Sequence, residues 1–182
     1  MARSSKPPSW GLLKARLARF SATELLTLVR DLHQLSAENR QFLGTRLLPP
    51  NDEIARYRQQ LADAIYPDTF SRRPVSLLAA RRVIRQYEAA TDDPIGALDL
   101  RLTFVEQGTQ QAADIGYGDE RYFASLESML ASVLHKFARL PENARGPFHA
   151  RLTRLRESGS SLGWGYGDFL SGELADLVDD PT

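Results

Sequence analysis

A chain of 182 residues whose 23 basic and 23 acidic side chains cancel has no net charge, which argues against a dedicated nucleic-acid coat. Its 42% hydrophobic and 25% charged content belongs to a chain that buries a core, and excludes general disorder or a fibrous class. The absence of cysteine removes disulfides, thiolate nucleophiles and cysteine-ligated metals together, and is compatible with a reducing cytoplasm.

Residues 1–9, with Pro7, Pro8 and three serines, read as a flexible leader without the apolar core of a signal peptide. No later run approaches the ~20 apolar residues of a membrane span. The expectation is a soluble, cytoplasmic protein with no membrane partner, built as one helical domain over residues 10–178 and an acidic end at 179–182.

Trp10, Leu12, Leu13, Leu17 and Phe20 recur at helical spacing and predict a first helix ending near Phe20. Ser21-Ala22-Thr23-Glu24 is a capping-box pattern that opens a second helix through Leu25, Leu28, Leu32 and Leu35. Ser36-Ala37-Glu38-Asn39 starts a third, which carries Phe42 and Leu47 and cannot pass Pro49-Pro50. Asn51-Asp52-Glu53 caps a fourth, running through Ile54, Tyr57, Leu61 and Ile65 to Pro67. Residues 67–74 are a connector, and a fifth helix follows with Val75, Leu77, Val83, Ile84 and Tyr87. Asp92-Asp93-Pro94 opens the sixth, because proline in a first turn forfeits no helical hydrogen bond.

Asp99 to Arg139 reads as the central hairpin, two amphipathic helices joined at Gly116 to Asp119. Pro141-Glu142-Asn143 begins an eighth helix through Phe148, Leu152 and Leu155. A loop over Ser158 to Gly167 and a short helix from Phe169 to Val178 close the chain. No stretch alternates β-branched residues, so the fold class is all-α: an irregular multi-helix bundle or stacked helical hairpins, with eight to nine helices. No fixed repeat period favours a solenoid.

Leu-x-x-Phe-Ser-x-x-Glu-Leu-Leu within Leu17 to Leu43, with Ser-Ala-Glu-Asn-Arg-Gln-Phe-Leu at its close, resembles a family of small all-α bacterial proteins of unknown function. Phe104-Val105-Glu106-Gln107-Gly108, Tyr117-Gly118-Asp119 and Ser125-Leu126-Glu127-Ser128-Met129 are similar to that family's second half. The likeness covers most of residues 12–140. It implies an all-α bacterial protein and carries over no activity and no catalytic residue.

Asp99 and Glu106, seven apart, share a helix face, and Glu127 and His135 lie eight apart on the next helix. Antiparallel packing would converge them on a metal, yet the paired Glu-x-x-His motifs of a two-metal bundle site are missing. No metal site is therefore read, Glu106, Glu127 and His135 being the candidates weighed against the commoner outcome of salt-bridged carboxylates, and no cofactor is indicated.

Arg72, Arg73, Arg81, Arg82 and Arg85 form a stretch without an acid between Asp68 and Glu88, and Arg145, Arg151, Arg154 and Arg156 form a second. Adjoining faces would bind a polyanion; solvated arginines paired with nearby acids are the commoner result. Gly163-Trp164-Gly165-Tyr166-Gly167 follows no strand and is not a dinucleotide fingerprint. Its aromatics either press on a partner or fold back onto the helices, the second being favoured because exposed aromatic pairs are costly. Tyr117-Gly118-Asp119 is echoed by Tyr166-Gly167-Asp168, which reads as two similarly capped helices or as two loops of one site.

Trp164, Tyr166, Tyr117 and Asp119 are thus the candidate ligand or partner contacts. The leading expectation is a non-enzymatic protein-interaction or self-association module. A nucleic-acid-associated regulator using the arginine-rich helices comes second, and a metal- or carboxylate-dependent enzyme third. There is no Gly-x-Ser-x-Gly elbow and no phosphate-binding loop ending in Lys-Ser or Lys-Thr.

Overall fold

The computed structural model describes residues 8–47, 53–67, 74–116, 118–163, 165–175 and 177. Among the described residues there are nine α-helices and no strand, the all-α architecture that the periodicity predicts. Where the periodicity reads one helical domain over 10–178, the chain divides into two compact units, Met1–Pro49 and Pro50–Thr182. The break falls on Pro49-Pro50, and the units differ in burial. Residues 1–7 of the leader and the 179–182 end lie outside the described residues.

The first unit holds α1 (Trp10–Leu17), α2 (Ala22–Leu35) and α3 (Ala37–Leu47). The capping box of α2 is present in both directions: Glu24 N–H donates to Ser21 Oγ at 3.3 Å, and Ser21 N–H donates to the Glu24 carboxylate at 2.7 Å. That backbone donor, more than the Ser21 hydroxyl, holds the Glu24 carboxyl below its ordinary range. Ser36 caps α3 through Asn39 N–H at 3.0 Å, while the Asn39 amide donates to Leu32 O at 2.8 Å. The corner therefore satisfies one helix start and one helix end at once. α2 packs on α3, yet none of the three helices contains a buried residue.

The second unit holds α4 (Glu53–Ile65), α5 (Leu77–Ala90), α6 (Pro94–Ile115), α7 (Glu120–Phe137), a 3-10 turn at Glu142–Ala144, α8 (Gly146–Gly159) and α9 (Tyr166–Glu173). α6 is the axis, packing against α4, α5, α7 and α8, and its pairing with α7 is the most extensive. Its buried residues lie around the helix rather than on one stripe, including Leu98, Leu100, Leu102, Phe104 and Val105. A helix buried on several sides is interior, so its polar side chains must find partners on neighbouring helices.

Asp93 starts α6 with one carboxylate oxygen, accepting from Ile95 N–H at 3.1 Å and Gly96 N–H at 2.9 Å. The other oxygen accepts the Tyr87 hydroxyl at 2.7 Å. A side chain at Gly96 would collide with both of these groups. Gly116 ends the helix at φ 66°, the left-handed cap that glycine adopts without penalty. The far end of α7 is closed from outside: Arg145 donates to Leu140 O at 3.0 Å and Ala138 O at 2.9 Å, with its guanidinium 5.8 Å from the Phe137 ring centre. A cation on those last carbonyls also meets the negative end of the helix dipole.

The echo of Tyr-Gly-Asp is not structural. Asp119 is the N-cap of α7, accepting from Tyr122 N–H at 2.8 Å, but α9 is preceded by Gly165 at φ 74° and already includes Tyr166 and Gly167. Asp168 lies inside the first turn of that helix. The expected loop over Ser158 to Gly167 shrinks accordingly, since α8 runs to Gly159.

Candidate functional site

The carboxylates on the α6 face are engaged by arginines. Asp99, 7% exposed, accepts Arg58 Nε of α4 on one oxygen at 2.7 Å and Arg151 Nη1 of α8 on the other at 2.6 Å. The rest of the Arg151 guanidinium lies bidentate on Glu106, at 2.9 and 2.5 Å, and reaches Thr103 Oγ1 at 2.9 Å. Asp99, Thr103 and Glu106 stand four and three residues apart, so one helix face presents all three to Arg151. Burial works against the Arg151 charge, but the bonds to Glu106 and Asp99 outweigh it and hold the guanidinium more firmly protonated than usual.

The two acidic positions do converge as their spacing predicts, on a cation supplied by protein. Glu127 and His135 of α7 do not join them, His135 being exposed. Among the described residues no group of three or more His, Asp or Glu side chains is arranged to hold a metal ion. Glu106 turns instead to Arg151 of α8, away from Glu127 and His135.

Of the aromatic candidates, Trp164 and Tyr117 lie outside the described residues. Tyr166 is corrected from a partner contact to a core residue: it is 0% exposed, and its hydroxyl shares a 2.8 Å hydrogen bond with Thr109 of α6. Its ring meets Phe123 at 5.1 Å and Phe169 at 6.4 Å between centres. Burial pushes the phenol pKa above its ordinary value, and the Glu127 charge adds to the rise. Asp119 is exposed and occupied in capping.

The arginine stretches diverge. Arg145 caps α7 and Arg151 is built into the Asp99–Glu106 network, so the second stretch is not a basic face. In the first, Arg72 and Arg73 lie outside the described residues. Arg82 and Arg85 are exposed and, with Ser76, Leu78 and Ala79, line an open groove of about 280 Å³ along α5.

Arg81 turns instead into the seam between α5 and α7. There Nη2 donates to Ser125 O at 2.8 Å, Nε and Nη2 donate to Ser125 Oγ at 3.3 and 3.2 Å, and the guanidinium lies 5.3 Å from the Phe104 ring centre. Arg101 of α6 enters the same seam, bidentate on Glu88 at 2.7 and 3.0 Å, and donates to Ser132 Oγ at 3.0 Å. Burial, then the charges of Arg101 and Arg85, lower the pKa of Arg81.

The first unit presents a different kind of surface. Of the fifteen large apolar side chains exposed among the described residues, eleven lie between Trp10 and Leu47. On α2 they include Leu25, Leu26, Leu28, Leu32 and Leu35, one wide face with Leu26 at 70% and Leu35 at 77% exposure. The leucine spacing predicts the face itself, but an amphipathic stripe does not say what covers it.

No described helix is long and apolar enough to cross a membrane. Compared with known proteins, the chain matches no family model, no curated protein and no solved structure.

Proposed function

We propose that this protein is a non-enzymatic interaction module that self-associates, the first unit of one copy packing its apolar faces against those of a second. The observation that carries the reading is the imbalance of exposed apolar side chains, eleven in residues 10–47 against four elsewhere among the described residues. Helices of 8 to 14 residues are marginal in water without a packed face. Monomers rarely leave apolar patches beyond a few hundred Å².

Eleven large side chains at 36 to 77% exposure present an area comparable to the ~800 Å² per partner of a standard interface. At ~25 cal/mol per Å², covering that area on one copy is worth roughly 20 kcal/mol before the ~4–15 kcal/mol cost of association. Residues 10–47 carry six basic and three acidic side chains, so two copies repel. Exposed charges are screened and count for about 1 kcal/mol or less per pair, so apolar burial prevails. Membership of the bacterial family that residues 12–140 resemble belongs to the same proposal, as does a cytoplasmic location.

Light scattering across a wide concentration range tests the reading. A mass twice the 20.4 kDa chain, halved by Leu26→Glu with Leu35→Glu, is the expected result. A monomer at every concentration, or a dimer indifferent to both substitutions, overturns it.

A further inference from the structure

The zero net charge is made of two opposed halves: Met1–Pro49 carries eight basic and three acidic side chains, Pro50–Thr182 fifteen and twenty. The first unit is therefore a cation. Its acids do not offset this at α1, since Glu24 is folded onto Ser21 and Asp31 lies 3.8 Å from Arg30. The side chains of Lys14, Arg16 and Arg19 are exposed and make no hydrogen bond or ion pair among the described residues.

The backbone sets two of these cations side by side. α1 runs out in 3-10-type bonds, Arg19 N–H to Arg16 O at 3.1 Å and Phe20 N–H to Leu17 O at 3.0 Å, and in such a turn side chains three apart eclipse. Arg16 and Arg19 thus stand together, with Phe20, 38% exposed, next in the chain. Adjacent unpaired guanidinium groups repel unless an anion joins them, and each offers a planar fork to phosphate oxygens. An exposed ring beside them is a platform on which a base can stack.

An anionic lipid surface is the competing partner. A helix lying in a membrane interface separates its apolar and basic residues onto opposite faces. On α1 they are mixed: Leu12 shares the face of Arg16, and Lys14 that of Trp10, each pair being one turn apart. Such mixing suits a strand in which phosphates and bases alternate. Trp10, Leu13 and Leu17 lie on another face of α1 and remain for self-association.

We propose that the corner between α1 and α2 binds single-stranded nucleic acid without sequence preference. Arg16 and Arg19 hold a phosphate, Phe20 stacks a base, and Lys14 adds to the local charge. The site needs only the first unit.

Fluorescence anisotropy of a labelled oligothymidylate of about ten nucleotides, titrated with the full chain, tests the proposal. Saturable binding is expected, weakening roughly 20-fold between ~50 and ~200 mM salt as three cations displace counterions. Arg16→Gln with Arg19→Gln weakens it about tenfold or more and cuts the salt dependence to roughly a third, whereas Arg16→Lys with Arg19→Lys keeps that dependence. Neither arginine side chain has a partner to lose, so helical signal and melting temperature stay unchanged. Phe20→Ala lowers affinity about fivefold or more with the salt dependence intact. Arg154→Gln, at an exposed arginine of the second unit bonded to its own helix, leaves binding as it was. No saturation at low salt overturns the proposal, as does binding indifferent to the loss of Arg16 and Arg19. A duplex bound as tightly as the single strand, with Phe20→Ala silent, overturns the assignment to single strands. Capture by phosphatidylserine vesicles without oligonucleotide binding overturns it in favour of a membrane surface. Self-association is read from the mass and this site from the anisotropy, so either can fail alone.

Discussion

Thr109 and Tyr166 share a 2.8 Å hydrogen bond between side chains that are 1% and 0% exposed, 57 residues apart in sequence. Neither hydroxyl has water as an alternative, so each depends on the other. Tyr166→Phe is expected to destabilise the second unit by about 1–3 kcal/mol, the cost of an orphaned buried hydroxyl. Adding Thr109→Val recovers much of that loss, because both polar partners are then gone. Urea unfolding of the two single variants and the double reads the coupling. Strictly additive losses would refute it.

The same phenol sets an alkaline limit. Its folded pKa is raised, so its contribution is complete below the unfolded value near ~10 and is lost as pH climbs from there toward the folded value. Stability should fall above pH ~10 with a slope of about 1.4 kcal/mol per pH unit from this group. Buried Tyr87, raised by burial and by its bond to Asp93, acts in the same direction. Tyr166→Phe should flatten the slope by one proton's worth; a profile of unchanged steepness would assign the loss to other groups.

Arg151 is the cation shared by Asp99 and Glu106, and Arg151→Met removes it from both carboxylates at once. Breaking a buried pair from one side costs ~3–5 kcal/mol. Arg58 still serves Asp99 and Glu106 is partly solvated, so about 3 kcal/mol is the expected loss in chemical unfolding. Restoring part of it with Glu106→Gln would locate the penalty in the abandoned charge, whereas a loss below ~1 kcal/mol would mean the network is ornamental.

Two glycines at helix crossings should respond differently to alanine. A methyl at Gly108 meets the end of the Leu126 side chain, which can rotate. One at Gly167 would sit 2.5 Å from Ser160 O, a backbone atom that cannot. Helix propensity favours alanine by ~1 kcal/mol, enough to offset much of the strain at Gly108. Gly167→Ala should therefore be the more damaging by ~1–3 kcal/mol in thermal unfolding. Equal melting temperatures would contradict the contact.

Periodicity and capping were legible wherever they act locally. Ser21 with Glu24, Asp93 with Pro94, and Asp119 each start the helix that their spacing predicts. What local pattern missed depends on distant partners. Tyr166 read as a loop aromatic because Gly165 and Gly167 flank it, yet its ring fills space between α6 and α7 that only tertiary packing creates. Arg145 and Arg151 read as one basic stretch, but they stand six residues apart on different sides of α8's start and face different helices. Asp99 and Glu106 were correctly placed on one face, while the cation between them comes from 45 residues beyond Glu106.

Asp93 joins the end of α5 to the start of α6 through a contact only six residues long in sequence, Tyr87 to Asp93. Arg58 to Asp99 spans 41 residues and Thr109 to Tyr166 spans 57. Each doubling of a loop costs about 0.6 kcal/mol in chain entropy, so the corner is the cheapest of these closures. Folding of the second unit should accordingly begin there, with high φ-values around Tyr87 and Asp93 and low ones at Tyr166. The axial helix is then anchored at its N-terminus before its far end meets α9, and slow unfolding is governed by the contacts that form last.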